Sequence, residues 1–230
     1  MKALLYKEFK LAMHPVCYVF MFAFPLMILI PSYPIGVGFI YILSCYPILF
    51  LGANKGQQSN DLLFSTLLPV RKKDIVMARI LTVITMQTIF MLIMSALAPL
   101  SAFFQSSMTA AAAAAGEKGP ETPGLGLDAF VSVLAIAIVG FSVADLIFFP
   151  IYYNRGRSIV MSTLLSILGF AVYIMTFTLV LPLVFDGYRA FFSANIGVQF
   201  AILGVSLLIS FCAHFAVYKI SSKRLEQVDF

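Results

Sequence analysis

Six long apolar runs, at 15–31, 35–52, 75–104, 128–153, 158–184 and 196–218, occupy most of this 230-residue chain. A bilayer's hydrocarbon core takes about 20 consecutive apolar residues to cross as a helix. Backbone groups inside that layer must be satisfied within the segment, which favours helices. The composition agrees: 61% of the residues are hydrophobic and 11% charged, with a mean hydropathy of +1.00. An ordinary soluble domain carries roughly 25% charged residues. A soluble enzyme, a secreted domain and a disordered chain are therefore excluded. The predicted fold is an all-α integral membrane protein. It has six transmembrane helices in a single domain over 1–230, an amphipathic N-terminal helix over 1–14 and a short helix in the loop 53–74.

The first two runs are separated by Pro31-Ser32-Tyr33-Pro34 and Gly36, which read as a tight hairpin turn. The first run has the basic start and apolar centre of a signal peptide. No small-residue cleavage site follows it, so it is expected to stay. The three cysteines, Cys17, Cys45 and Cys212, lie inside apolar runs without the spacing of a metal site or disulfide framework.

Charge orients the chain. Thirteen of the 15 Lys and Arg fall at the N-terminus, in 53–79, at Arg155 and Arg157, and in the tail. Only Lys118 and Arg189 fall on the other side, with Glu117, Glu121, Asp128 and Asp186. Basic loops stay cytoplasmic. Six spans then place both termini and the loop 53–74 in the cytoplasm and the loop 105–127 outside. The net charge of +5 is accounted for in this way, and no nucleic-acid partner is implied. The outer loop opens on alanines 110–115, which could extend the third helix by a turn or two, and continues as a Gly/Pro-rich stretch.

The chemistry is sparse. The two histidines, His14 and His214, are far apart and read as structural. Gly52-Ala53-Asn54-Lys55-Gly56 lacks the Gly-Lys-Ser/Thr ending of a phosphate loop. The chain is expected to be non-catalytic and to bind no metal or cofactor of its own. Three places still carry information. In 1–14, Lys7, Lys10 and His14 share one arc of a helix, and Glu8 falls in the apolar arc opposite. A carboxylate there is costly unless paired. Arg71 or Lys72 is the expected partner. In 53–74, Ser59-Asn60-Asp61 offers cap chemistry, and Leu62, Leu63, Phe64, Leu67 and Leu68 form a short apolar helix before Pro69 and the basic turn Arg71-Lys72-Lys73. That helix suits a docking groove on a cytoplasmic partner; the alternative is an interfacial or re-entrant loop. Asp145 is the acidic residue well inside a span. It is expected to reach Arg155 or Arg157, to hydrogen-bond between helices, or to serve a substrate or proton.

Three stretches resemble the permease subunits of type-2 ATP-binding-cassette (ABC) exporters, in the compact six-span branch of Gram-positive bacteria. They are Met1-Lys2-Ala3-Leu4-Leu5-Tyr6-Lys7-Glu8-Phe9, Leu67-Leu68-Pro69-Val70-Arg71-Lys72-Lys73-Asp74-Ile75-Val76-Met77-Ala78-Arg79 and Pro150-Ile151-Tyr152-Tyr153-Asn154-Arg155-Gly156. The first is like the family's elbow helix, the second like its loop into the third span, the third like its turn after the fourth. The resemblance implies a bacterial plasma-membrane location and two copies of a separate ATPase subunit that hold ATP and Mg. It also implies a second permease, identical or related. It implies that Asp61, Leu62, Leu63, Phe64, Leu67, Leu68, Arg71, Lys72 and Lys73 couple to the ATPase, with Tyr153, Arg155 and Arg157 forming a second cytoplasmic turn. The nearest family members, similar to phenol-soluble-modulin exporters, move amphipathic or membrane-active peptides. The alanine-rich outer loop departs from the family pattern. A secondary transporter and a membrane assembly protein are the alternative readings.

Overall fold

The computed structural model describes residues 2–12, 15–30, 70–116, 127–154 and 159–227. These are about 91% helical. Helix α1 (Lys2–Lys7) runs into a π turn at Glu8–Ala12. Helix α2 (Pro15–Ala23) continues as a 3₁₀ segment over Phe24–Leu29. Then come α3 (Lys72–Ala114), α4 (Phe130–Tyr152) and α5 (Ile159–Met175). A π segment (Thr176–Val180) leads into the short α6 (Leu181–Val184). Helices α7 (Tyr188–Phe192) and α8 (Ile196–Glu226) complete the chain.

Three of these, α3, α4 and α8, are long and apolar enough to cross a membrane. The chain is thus a helical membrane protein. The expected second span, 35–52, lies outside the described residues. The first, 15–31, is helical through Leu29 but too short to count as a crossing by length. The third apolar run ends at residue 104, and α3 continues through the alanines to Ala114, 43 residues in all, the extension that the alanine run allowed. At 1.5 Å per residue that is about 64 Å, roughly twice the hydrocarbon thickness. Alanine has the strongest helix propensity, and the run 110–114 carries the helix outward without tertiary support. The last run extends beyond 218 to Glu226, because Lys223 and Arg224 in its last turn suit the negative end of a helix.

The order of packing follows from which faces are apolar. Helix α4 has 61% of its apolar window buried and α8 only 11%, so α4 lies inside and α8 at the edge. Helix α4 packs against α8 and α5, and α3 packs against α8 and the N-terminal elements. Phe90, Phe148, Phe149 and Phe170 fill the interior. Gly140 permits the α4–α5 contact, because a Cβ there would stand 2.7 Å from the Phe170 ring. Helices α3 and α4 have little backbone contact and meet through long polar side chains.

Two polar layers bracket the bundle. At one end Arg79 contacts Glu8 and Tyr152, Lys73 pairs with Glu226 at 3.3 Å, and Arg224 donates to the Pro150 carbonyl. That last bond satisfies a carbonyl at the C-terminal end of α4. At the other end Ser101 Oγ donates to the Ile28 carbonyl (2.7 Å), Ser132 Oγ to the Phe192 carbonyl (2.7 Å) and Gln199 Nε2 to the Asp128 carbonyl (2.9 Å). Arg79 to Ser101 and Ser132 to Tyr152 are each about 30 Å along a helix axis, one hydrocarbon thickness. The Glu8–Arg79 and Ile28–Ser101 contacts also make the N-terminal segment parallel to α3. The chain therefore leaves the described part at Ile30 near one end and re-enters at Val70 near the opposite end.

A separate short element, α7, stands between the last two apolar runs. Gly187, with φ of 104°, makes the turn into it, a conformation that side-chain-bearing residues rarely adopt.

Candidate functional site

The first polar cluster forms where α1 ends. Glu8 sits at the first position of the π turn and is 7% exposed, as its place in the apolar arc requires. Its partner is not Arg71 or Lys72. Arg79 Nε lies 3.4 Å from Glu8 Oε2 and 3.5 Å from Oε1, and Lys7 Nζ lies 3.7 Å from Oε1. The Arg79 Nη1 donates to the Tyr152 hydroxyl at 2.8 Å. The expectation failed for a geometric reason. Arg71 is the N-cap residue of α3, its side chain 87% exposed and 3.6 Å from Asp74 on the same turn. Arg79 lies two turns further, on the face that includes Val76, Ile80 and Val83, and so points into the bundle. The cluster ties α1, α3 and α4 together with one guanidinium. Tyr18 adds a bond from α2 to the Phe9 carbonyl at 2.8 Å.

The second cluster lies deeper. Asp145 is fully buried in α4. Its Oδ2 accepts from Gln87 Nε2 of α3 at 3.1 Å and faces His214 Nε2 of α8 at 3.1 Å. The far side of the imidazole is also held: Nδ1 lies 2.8 Å from the Ser210 carbonyl. Ser142 Oγ lies within donating distance of both Ser210 Oγ (2.7 Å) and the Ile138 carbonyl (2.9 Å). Of the expected roles for Asp145, the interhelical hydrogen bond is the one present among the described residues. Arg155 and Arg157 lie outside them. Three helices contribute one polar side chain each, and depth brings them to one level. Asp145 is seven residues above Tyr152 and Gln87 eight above Arg79, each about 10–12 Å along its helix. His214 was read as a packed structural residue, and Gln87 was not singled out. Both are lone polar groups in apolar runs, and matching their distances to the basic end would have paired them with Asp145.

Beside this cluster is a cavity of about 480 Å³ between α3, α4 and α8. Gln87, Ser210 and His214 supply its polar corner, and Met91, Phe141 and Leu207 are among its apolar walls. Thr88 and Ser95 also line it, but each hydroxyl is spent on a carbonyl of its own helix.

Of the expected coupling residues, Asp61, Leu62, Leu63, Phe64, Leu67 and Leu68 lie outside the described residues. Arg71, Lys72 and Lys73 begin α3 at the basic end. Tyr153 stands in the turn that follows α4, where it is buried and stacks on Phe149 at 6.4 Å; Arg155 and Arg157 lie outside the described residues. No group of three or more His, Cys, Asp or Glu side chains able to hold a metal occurs among the described residues. No protein-family model, curated protein or solved structure matches the chain.

Proposed function

We propose that the chain is the membrane-spanning permease subunit of an ATP-driven exporter, non-catalytic itself, working with a separate ATPase and a second permease. The observation that carries this reading is the Glu8–Arg79–Tyr152 cluster. It fastens the N-terminal helix to the start of α3 and the end of α4, at the end of the bundle where the basic residues gather. A push on α1 or on the segment leading into α3 would be passed to two long helices through one buried guanidinium, instead of being lost in a flexible loop. The parallel course of the N-terminal segment and α3 is consistent with six spans. The chain needs one further crossing between Ile30 and Val70 for that count. The proposed orientation puts the Arg79 end in the cytoplasm of a bacterial cell. The large uncovered apolar face of α8 suits lipid or a second permease.

The cargo proposed from the family resemblance is an amphipathic or membrane-active peptide. The test is reconstitution: the chain with its ATPase in vesicles should move labelled amphipathic peptide only with ATP and Mg present. A second reading, secondary transport, is favoured by one observation, the Asp145–His214 pair beside a cavity. Vesicles holding this chain alone, driven by a proton gradient, separate the two.

A further inference from the structure

Helix α8 presents one open face, and that face ends in two lysines. At 3.6 residues per turn, Ala201, Val205, Leu208, Cys212 and Phe215 stand within about 40° of Lys219 around the helix, and Lys223 follows one turn later. All of them are exposed, Leu208 at 69% and Phe215 at 53%. The opposite side packs on α4 and α3 and buries Val217, Ser221 and Leu225. The open stripe is therefore apolar along its length and becomes doubly positive at the basic end.

Depth places those charges. Gln199 belongs to the polar layer opposite the basic end, through its bond to the Asp128 carbonyl. Lys219 is 20 positions further along α8. That is about 30 Å, one hydrocarbon thickness. Lys219 thus stands where hydrocarbon meets headgroups, and Lys223 about 6 Å beyond it. A lysine at the edge of a span ordinarily stretches its amine away from the hydrocarbon. Lys219 does the reverse: its Nζ lies over the Phe215 ring, 5.0 Å from the centroid, on the hydrocarbon side. Side chains lean toward a helix's N-terminus, which for α8 is the direction of the bilayer centre. An anion at the headgroup level compensates a cation held there. It also relieves the repulsion between two like charges one turn apart. Among the described residues the acid on this face is Glu226, and its carboxylate lies 3.3 Å from Lys73 of α3.

We propose that this face of α8 is a binding site for an anionic phospholipid, its phosphate held by Lys219 and Lys223 and an acyl chain lying along Phe215, Cys212 and Leu208. The charges decide between lipid and a second copy of the chain. In a two-fold contact the residues along the seam meet their own copies. Lys219, at the middle of the stripe, would then face Lys219. A phospholipid meets both halves of the stripe, with its chain on the apolar part and its phosphate on the lysines. A zwitterionic headgroup brings its own cation to that contact, so two lysines select a lipid of net negative charge. The inference rests on the bundle lying in a membrane and holds whether or not an ATPase drives it.

The full chain with Cys17→Ala and Cys45→Ala keeps Cys212 as its one thiol. Cys212 lies about 10 Å up the stripe from Lys219. A fluorophore on it is read in nanodiscs of phosphatidylcholine with a minor fraction of phosphatidylglycerol. Bromine on the acyl chains of one lipid or the other quenches the label by contact, and the ratio of the two gives their relative affinity for this face. Phosphatidylglycerol should be favoured by about fivefold or more. Lys219→Gln with Lys223→Gln should abolish that preference, and Lys219→Arg should keep it. Lys10→Gln takes the same charge from the N-terminal segment and should leave the ratio unchanged. Quenching by brominated phosphatidylcholine, equal in all variants, shows that the face still stands in lipid. A native chain without the preference would overturn the proposal, as would an equal loss in Lys10→Gln, which means diffuse surface charge. A label that neither lipid quenches would mean that protein covers the face, and the proposal fails. Loss of the preference on adding inorganic phosphate at constant ionic strength would assign the lysines to a soluble anion instead.

Discussion

Arg79 reaches across 71 positions of sequence to bury its guanidinium against Glu8, 3.4 Å away, with both side chains less than a tenth exposed. Neither group could be buried alone. The pair therefore fixes the N-terminal segment to α3, and its Tyr152 contact extends that link to α4.

Removing one partner should cost far more than removing both. Arg79→Leu removes the main partner of a buried carboxylate and leaves, among the described residues, Lys7 at 3.7 Å beside it. Such a change is expected to cost on the order of 3 kcal/mol. Glu8→Gln with Arg79→Leu should recover part of that loss. Thermal unfolding of the single and double variants in detergent checks the coupling; additive losses would show that the contact is not an energetic unit.

The α4–α5 seam predicts a steric pair. Gly140→Ala brings a Cβ to 2.7 Å from a rigid ring of Phe170, which itself stacks on Phe141 at 5.6 Å. Overpacking of this kind costs roughly 1–3 kcal/mol. Phe170→Leu in the same chain should relieve much of it, a result read from the melting temperatures of the two variants.

The seam also shows where sequence reading succeeds and where it stops. Apolar runs report helix existence, so α3, α4, α5 and α8 are legible. Termini are less so: the alanines 110–114 signalled the outward extension of α3, whereas the basic tail after 218 supports helix without being apolar. The need for a partner at Glu8 was legible from its place in an apolar arc. The partner's identity was not, because it depends on how far α3 is rotated when Ile75, Val76 and Ile80 turn inward. Asp145, His214 and Gln87 are each visible as polar residues in apolar runs, yet their meeting is a property of helix depth and packing order.

Tyr188 sits outside the spans with its hydroxyl buried and without a hydrogen-bond partner among the described residues. Tyr188→Phe removes an unsatisfied group and should leave stability unchanged or raise it by up to about 1 kcal/mol. Burial also pushes the phenol from its ordinary 10 up to about 12. The neutral form is the one favoured by folding. Its stabilising contribution is complete below about pH 10, where the unfolded phenol ionises, and is lost as pH rises through about 12. The ultraviolet difference titration of the native chain against Tyr188→Phe should show one phenol ionising near the upper value.

Topology gives a sidedness test. In a chain lacking its native cysteines, Ser106→Cys should react with an impermeant thiol reagent in intact cells. Gln227→Cys should react only after the membrane is opened. The reverse pattern would invert the proposed orientation.

The central claim concerns the ATPase. If 59–73 is the coupling contact, Phe64→Ala with Leu67→Ala should lose an anchor of about 2 kcal/mol or more. Neutralising Arg71, Lys72 and Lys73 should give a milder, salt-dependent defect. The most direct measurement is affinity purification of the tagged chain from its native membrane, followed by assay of ATP hydrolysis. The account predicts that a Mg-dependent ATPase subunit accompanies the native chain and is lost from the Phe64→Ala/Leu67→Ala variant, while that variant still inserts. A native chain that purifies with no nucleotide-hydrolysing subunit, and that moves cargo in vesicles on a proton gradient alone, would contradict it.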